Sequence, residues 1–208
     1  MEAHIITDVI DRGGAASRGE NSPRARVIEA AWAVIAQTGA GHASLRNIAA
    51  AMQATTGLVT RHFPDKHSLL LASLRRATAT LIAAAHNAGA GQQGLDQAQA
   101  ILQAALPGRP GVQRAWRVWI AFLGELPGNA DLAAAHKEWP GELRRMLIAG
   151  LREAQRREQI KAQLYSPLIA DALVNQLVAV AVRQAADPAA MPEDSLNVLL
   201  AMLVAGGE

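Results

Sequence analysis

The stretch SLRNIAAAMQATTGLVTRHFPDKHSLL, Ser44 to Leu70, decides how this chain folds. Ser44 is a side-chain acceptor suited to a helix start, and Leu45, Ile48, Ala49 and Met52 then recur at helical spacing, which predicts a two-turn helix with one apolar stripe. Gln53-Ala54 breaks it. Thr55 or Thr56 can cap a third short helix through His62, and Phe63-Pro64-Asp65 ends that helix because proline lacks the N–H and pushes its predecessor out of the helical region. Asp65 then caps a long helix from Lys66 to about His86, with Leu69, Leu70, Ala72, Leu74, Ala77, Leu81 and Ala84 on a broad apolar face. Two-turn helices are marginal alone, so longer neighbours must hold the short pair.

Upstream, Val27, Ile28, Ala31, Trp32 and Ile35 follow the helical period from Arg24, and Thr38-Gly39-Ala40-Gly41 closes that first helix. Residues 1–23 have no period and read as a flexible leader, with order expected near Pro23. Downstream, Asn87 to Gly94 reads as a loop. Helices are expected from about Leu95 to Leu106, Pro110 to Leu126, Asn129 to Arg157, Ser166 to Ala186 and Glu193 to Val204, separated by Pro-Gly and Asp-Pro punctuation. Pro140 should mark a boundary or kink in the third of these. No period of 20 to 50 residues recurs, which argues against a solenoid.

Composition narrows the class. The 208 residues are half hydrophobic and 18 % charged, and only seven are aromatic, so alanine and leucine must build most of an all-α core. The absence of cysteine excludes disulfides, thiolate chemistry and cysteine-ligated metals, and fits a reducing compartment. The amino terminus lacks the charged-then-apolar order of a secretion signal. No run of eighteen apolar residues occurs, since Asp171, Asn175 and Gln176 interrupt the richest stretch, Ala170 to Val182. A cytoplasmic protein without a membrane span is expected. The formal charge of +2 is unevenly placed: residues 24–76 carry seven bases against two acids, a net +5, whereas residues 1–23 carry −2 and the last 132 carry −1. Attraction for polyanions is confined to one module.

That module resembles the DNA-binding head of TetR-family transcriptional regulators, through the helix, tight turn, short helix and His62-Phe63-x-x-Lys66 element of Ser44 to Leu70 placed after an amphipathic first helix. The resemblance implies a three-helix helix-turn-helix head at 24–70 and a larger helical ligand-binding and dimerisation domain at 71–208, about nine helices in total. A recognition helix must lock one face into its module and present the other to a major groove about 12 Å wide. Ala54, Val59 and Phe63 are the inward candidates, leaving Thr56, Gly57, Leu58, Thr60, Arg61 and His62 towards DNA. Gly57 costs about 1 kcal/mol in a helix relative to alanine, so either close approach to DNA or an ordinary helix start must account for it. Arg61 suits a bidentate contact to guanine, and Arg46 a base or a phosphate. Ser44, Thr55, Thr60 and His62 offer hydrogen bonds to phosphates, with Lys66 adding charge at a helix start. The bland reading of each arginine is a solvated surface charge. Gln53 and Thr60 depart from the family pattern, standing where glycine and a phosphate-touching tyrosine are common.

Trp119-Ile-Ala-Phe122, followed by a break and a helix with His136, Trp139 and paired arginines, resembles the regulatory domain of the BetI-type branch, which includes choline-responsive repressors. The resemblance implies a homodimer through the last two helices, whose stripes are Ile169, Leu173, Leu177, Val180 and Leu196, Leu199, Leu200, Leu203. An intramolecular core alone is the lesser rival reading of both stripes. Trp116, Trp119, Phe122, Trp139 and Tyr165 are candidates for an aromatic ligand cage, with Glu125 or Asp131 adding charge. Ordinary core packing competes with that reading, because Trp116 and Trp119 are three apart on one helix. The partners so implied are double-stranded operator DNA and a small-molecule effector. Release would follow from tilting the helix Lys66 to His86 until two heads no longer reach successive grooves.

An enzyme is a poor rival. The six histidines, at 4, 42, 62, 67, 86 and 136, form no His-Glu-x-x-His motif, and no glycine-rich phosphate loop occurs. His62 to His67 hints at a metal, but those side chains suit the head better, and neither catalytic residues nor a cofactor nor a metal is expected. The alternative of substance is a helical dimeric binding or scaffold protein without specific DNA recognition.

Overall fold

The structure, a computed structural model, describes residues 22–187; the expected leader up to residue 21 and the expected helix Glu193 to Val204 lie outside them. Eight α-helices and one 3-10 turn account for the described regular structure, and no strand occurs among these residues. The chain divides into two compact units, one ending at Ser73 and the next beginning at Leu74.

In the first unit, α1 (Pro23–Thr38) starts where the Ser22 hydroxyl accepts from the Ala25 N–H at 3.1 Å, with Pro23 at a position that needs no donor. Val27, Ile28, Ala31, Trp32 and Ile35 are all buried, and Gly39 leaves the helix at φ +81°. The Ser44 hydroxyl caps α2 (Leu45–Ala51) by accepting from Asn47 N–H at 3.1 Å. Gln53 turns the chain at φ +53°, in the left-handed region that glycine enters freely and other residues only at a cost. After it, α3 (Thr56–His62) buries Val59 and is followed by Phe63, 1 % exposed. Asp65 caps α4 (Lys66–Gly89) by accepting from Ser68 N–H at 2.7 Å, a bond that holds its carboxyl below the usual carboxylate range. Two links from distant parts of the chain tie the unit together. The Lys66 ammonium donates to the Gly41 carbonyl at 2.5 Å, and the Trp32 indole donates to the Ser73 carbonyl at 3.0 Å.

The second unit contains the rest of α4, then α5 (Gly94–Ala105), α6 (Gln113–Ala121), the 3-10 turn Leu123–Glu125, α7 (Ala130–Arg156) and α8 (Ser166–Ala186). The packing of α5 on α7 is the most extensive contact and needs glycine: a Cβ on Gly150 would sit 3.2 Å from the Gly94 carbonyl oxygen. A hydrogen bond from the Thr78 hydroxyl to the Ala135 carbonyl, 3.3 Å, joins α4 to α7. The Arg144 guanidinium meets Asp171 at 2.6 Å between α7 and α8, and this pair holds the Asp171 carboxyl below its usual range.

Three expectations need correction. The loop read at Asn87 to Gly94 shrinks to residues 90–93, because α4 continues to Gly89 and Gly94 opens α5. The helix read at Pro110 to Leu126 begins only at Gln113, after Gly111 turns at φ +89°, and its last turn is the separate 3-10 element. Of the two readings of Pro140, the boundary is overturned: α7 runs through it, since helix packing on both sides outweighs one missing N–H. By length and composition alone α4 and α8 could cross a membrane, a test that core helices of folded units also pass. Leu74, Ala77 and Leu81 of α4 and Ala170, Leu173 and Leu177 of α8 are at most 1 % exposed, as core positions are.

Candidate functional site

The first unit presents one short helix by its outer face. Val59 and Phe63 fix α3 from within, Ala54 is half-buried beside the turn, and Thr56, Gly57, Leu58, Thr60 and Arg61 are exposed, with His62 half-buried. Arg46 is exposed at the start of α2, one residue after the start fixed by Ser44. Thr55 occupies the cap position of α3 without making a side-chain cap bond, and the Leu58 N–H donates to the Thr55 carbonyl at 3.1 Å. A Cβ on Gly57 would meet nothing nearer than the Thr55 hydroxyl at 3.8 Å, and its φ lies outside the left-handed region. Neither packing nor backbone conformation within the unit requires glycine there.

Two polar candidates have internal bonds that the sequence did not reveal. The Thr60 hydroxyl donates to the Gly57 carbonyl at 3.2 Å, so a phosphate contact from Thr60 requires that proton to turn outward. Lys66 is bonded to Gly41, which makes it a tie between the first inter-helix turn and the start of α4 as well as a cation beside it. Arg24, absent from the sequence-based site, lies with its guanidinium 4.7 Å from the centroid of the Phe63 ring and so brings a cation to the end of α3. The signal for it was its place in the basic module.

In the second unit the aromatic candidates separate. Trp116 meets Trp119 edge to face at 5.5 Å and Trp139 at 6.0 Å, and His136 stacks on Trp119 at 3.6 Å. Phe122, three residues after Trp119, is fully buried. Tyr165 does not join them: it is 70 % exposed at the N-cap of α8, where a phenol hydroxyl is satisfied by solvent. Glu125 is half-buried in the 3-10 turn and Asp131 is exposed in the first turn of α7. The rings occupy each other's faces and edges, as rings of a packed core do. Burial pushes the His136 imidazole down to about 4, against a smaller opposing pull from a Trp119 backbone hydrogen bond, so the ring is neutral at pH 7. The Trp116 indole donates to the Ala105 carbonyl at 2.8 Å, whereas Trp119 Nε1, Trp139 Nε1 and His136 Nε2 are buried with no protein partner among the described residues. Among the described residues no group of three or more His, Asp or Glu side chains is placed to hold a metal.

A basic three-helix head that exposes its third helix, followed by a helical second unit, defines a helix-turn-helix transcriptional regulator. Residues 27–73 match the bacterial regulatory proteins of the tetR family, and residues 94–205 match the C-terminal region of BetI-type transcriptional repressors. The second match alone spans over half of the chain, and the protein belongs to the TetR family, in its BetI-type branch. A search of curated protein sequences finds no match. Among solved structures, a transcriptional regulator from Rhodococcus sp. Rha1 shares the fold at TM-score 0.75 and 24 % identity, over 89 % of this chain and 97 % of that one. A putative regulator from Saccharomonospora viridis in complex with choline aligns at TM-score 0.71 and 19 % identity, over 85 % and 92 %. The transcriptional regulator FadR from Bacillus subtilis in complex with stearoyl-CoA aligns at 0.70 and 18 %, over 87 % and 97 %. The family and these neighbours are transcriptional regulators rather than enzymes.

Proposed function

We propose that the protein is a cytoplasmic repressor that binds a near-palindromic operator as a homodimer and is released by a small-molecule effector. The observation that carries this reading is the outer face of α3, exposed from Thr55 to Arg61 with a glycine that nothing inside the head requires. Arg61 and Arg46 read bases, while Ser44, Thr55, Thr56 and His62 contact phosphates; Gly57 and Leu58 lie against the duplex, and Lys66 and Thr60 keep the recognition face in place. Dimerisation through α8 and the segment after it is supported by Leu168 and Val182, apolar residues 65 % and 41 % exposed on α8. The effector acts in the second unit on the layer of Trp116, Trp119, Phe122 and Trp139, and thereby on α4, the helix common to both units.

Binding of the full chain to the DNA upstream of its own gene, titrated against salt, tests the proposal. A steep fall of affinity with salt is expected, together with a preference over random DNA of at least about a thousandfold. Equal affinity for both DNAs favours the reading as a helical binding or scaffold protein instead.

A further inference from the structure

The second unit holds an open cleft of about 470 Å³, within the size range of small-molecule sites. Ala84 and Thr80 of α4 form one side, Ala104 and Gln103 of α5 another, and Arg109 and Val112 of the connection to α6 complete it. The chemistry of this lining is one-sided. Thr80 has turned its hydroxyl proton back to the Arg76 carbonyl at 2.9 Å, which leaves its methyl group to join the alanines and Val112. No lining residue is acidic. Arg109 is exposed, and its only side-chain partner among the described residues is the Gln103 amide oxygen, at 2.8 Å. One nitrogen of the guanidinium is thus fixed by a neutral group, and among the described residues the remaining donors and the positive charge meet no anion.

We propose that this cleft binds a small monocarboxylate with an apolar body, its carboxylate on Arg109 and its hydrocarbon against Ala84, Ala104 and Val112. A planar guanidinium offers a carboxylate two parallel hydrogen bonds, and the apolar walls reward a chain or ring behind it. A quaternary ammonium finds the wrong charge there. The cleft also touches the two structural features that an effector must influence. Thr80 and Ala84 belong to α4, which begins in the head, and Ala105, adjoining the α5 wall, accepts the indole bond of Trp116. As an effector site the proposal rests on the repressor reading above; as a binding site it stands without it.

Octanoate, 1-octanol and octyltrimethylammonium, titrated calorimetrically into the full-length protein, test the site. Octanoate is expected to bind once per chain and at least tenfold more tightly than either analogue. Arg109→Gln, a surface change that leaves the fold intact by circular dichroism, should erase that preference for octanoate while leaving 1-octanol binding unchanged. Ala84→Phe, which fills the cleft from the opposite wall, should remove both. Octanoate binding no better than 1-octanol, or unaffected by Arg109→Gln, overturns the proposal, as does a preference for the ammonium. DNA binding measured with the same ligands separates the two readings. Arg109-dependent octanoate binding by a protein that ignores operator DNA upholds the site and removes the repressor, and operator binding by a protein indifferent to octanoate does the reverse.

Discussion

Trp32 in the first unit and Trp119 and Trp139 in the second are buried almost alike, at 5 %, 2 % and 0 % exposure, yet their indole nitrogens fare differently. Trp32 donates to Ser73 and ties α1 to α4, so the buried indole of the head is satisfied within the unit. Trp119 of α6 and His136 and Trp139 of α7 bury three ring nitrogens that have no protein partner among the described residues. Each unmade buried bond costs about 1–3 kcal/mol relative to a satisfied one. The contrast teaches how differently the two units treat an indole: the head pairs its buried N–H with a backbone carbonyl, whereas the second unit packs its indoles and imidazole against one another by ring faces and edges.

The contrast can be broken most forcefully at Trp139. Trp139→Ala empties the space of a fully buried ring and should lower the unfolding free energy by about 3–5 kcal/mol in chemical denaturation. A loss below 1 kcal/mol would show the layer to be loosely packed, and with it an interior able to open without strain.

His136 offers the next largest effect, through pH. Its folded value of about 4 lies below the ordinary 6.5, so the unfolded chain takes up this proton first on acidification. The stability it contributes is therefore complete above pH 6.5 and is lost progressively as pH falls from 6.5 towards 4, a change of about 3 kcal/mol. The stability difference between the wild type and His136→Phe, measured by denaturation across that window, should shift by this amount in favour of the variant as pH falls, and a constant difference would mean that the imidazole is hydrated.

Arg61→Ala sharpens the outer side of the comparison. It should cost about 1–3 kcal/mol of operator affinity in gel-shift titration and relax preference at one base pair, with little effect on random DNA. Equal losses on both DNAs would reduce Arg61 to a phosphate contact.

The smallest change is expected at the turn. Gln53→Gly removes the penalty of a side chain at φ +53° but adds backbone entropy to the unfolded chain, for a net gain of up to about 1 kcal/mol in thermal unfolding. A loss would mean that the Gln53 side chain makes a contact that outweighs its backbone strain.

Much of this molecule is legible along the chain because its information is local. Five apolar residues from Val27 to Ile35 recur at helical spacing and all five are buried; Ser44 and Asp65 cap the helices that follow them; Phe63-Pro64 ends α3. The outward face of the recognition helix follows from the same periodicity, since burying Val59 and Phe63 exposes the residues between. Tyr165 stands apart from the tryptophans because composition groups aromatic residues that the fold separates, and Arg109 was overlooked because a lone arginine in a Pro-Gly turn has no pattern.

The sequence by itself therefore determined the helices, their order, the basic head and the face it offers, all of which depend on neighbours within about one turn. Only the tertiary structure decided that Lys66 bonds to Gly41, that Thr78 reaches Ala135, that three ring nitrogens lie buried with no protein partner among the described residues, and that a cleft faces Arg109. These features depend on residues brought together from distant helices, and the satisfaction or neglect of a polar group is settled only when its surroundings close around it.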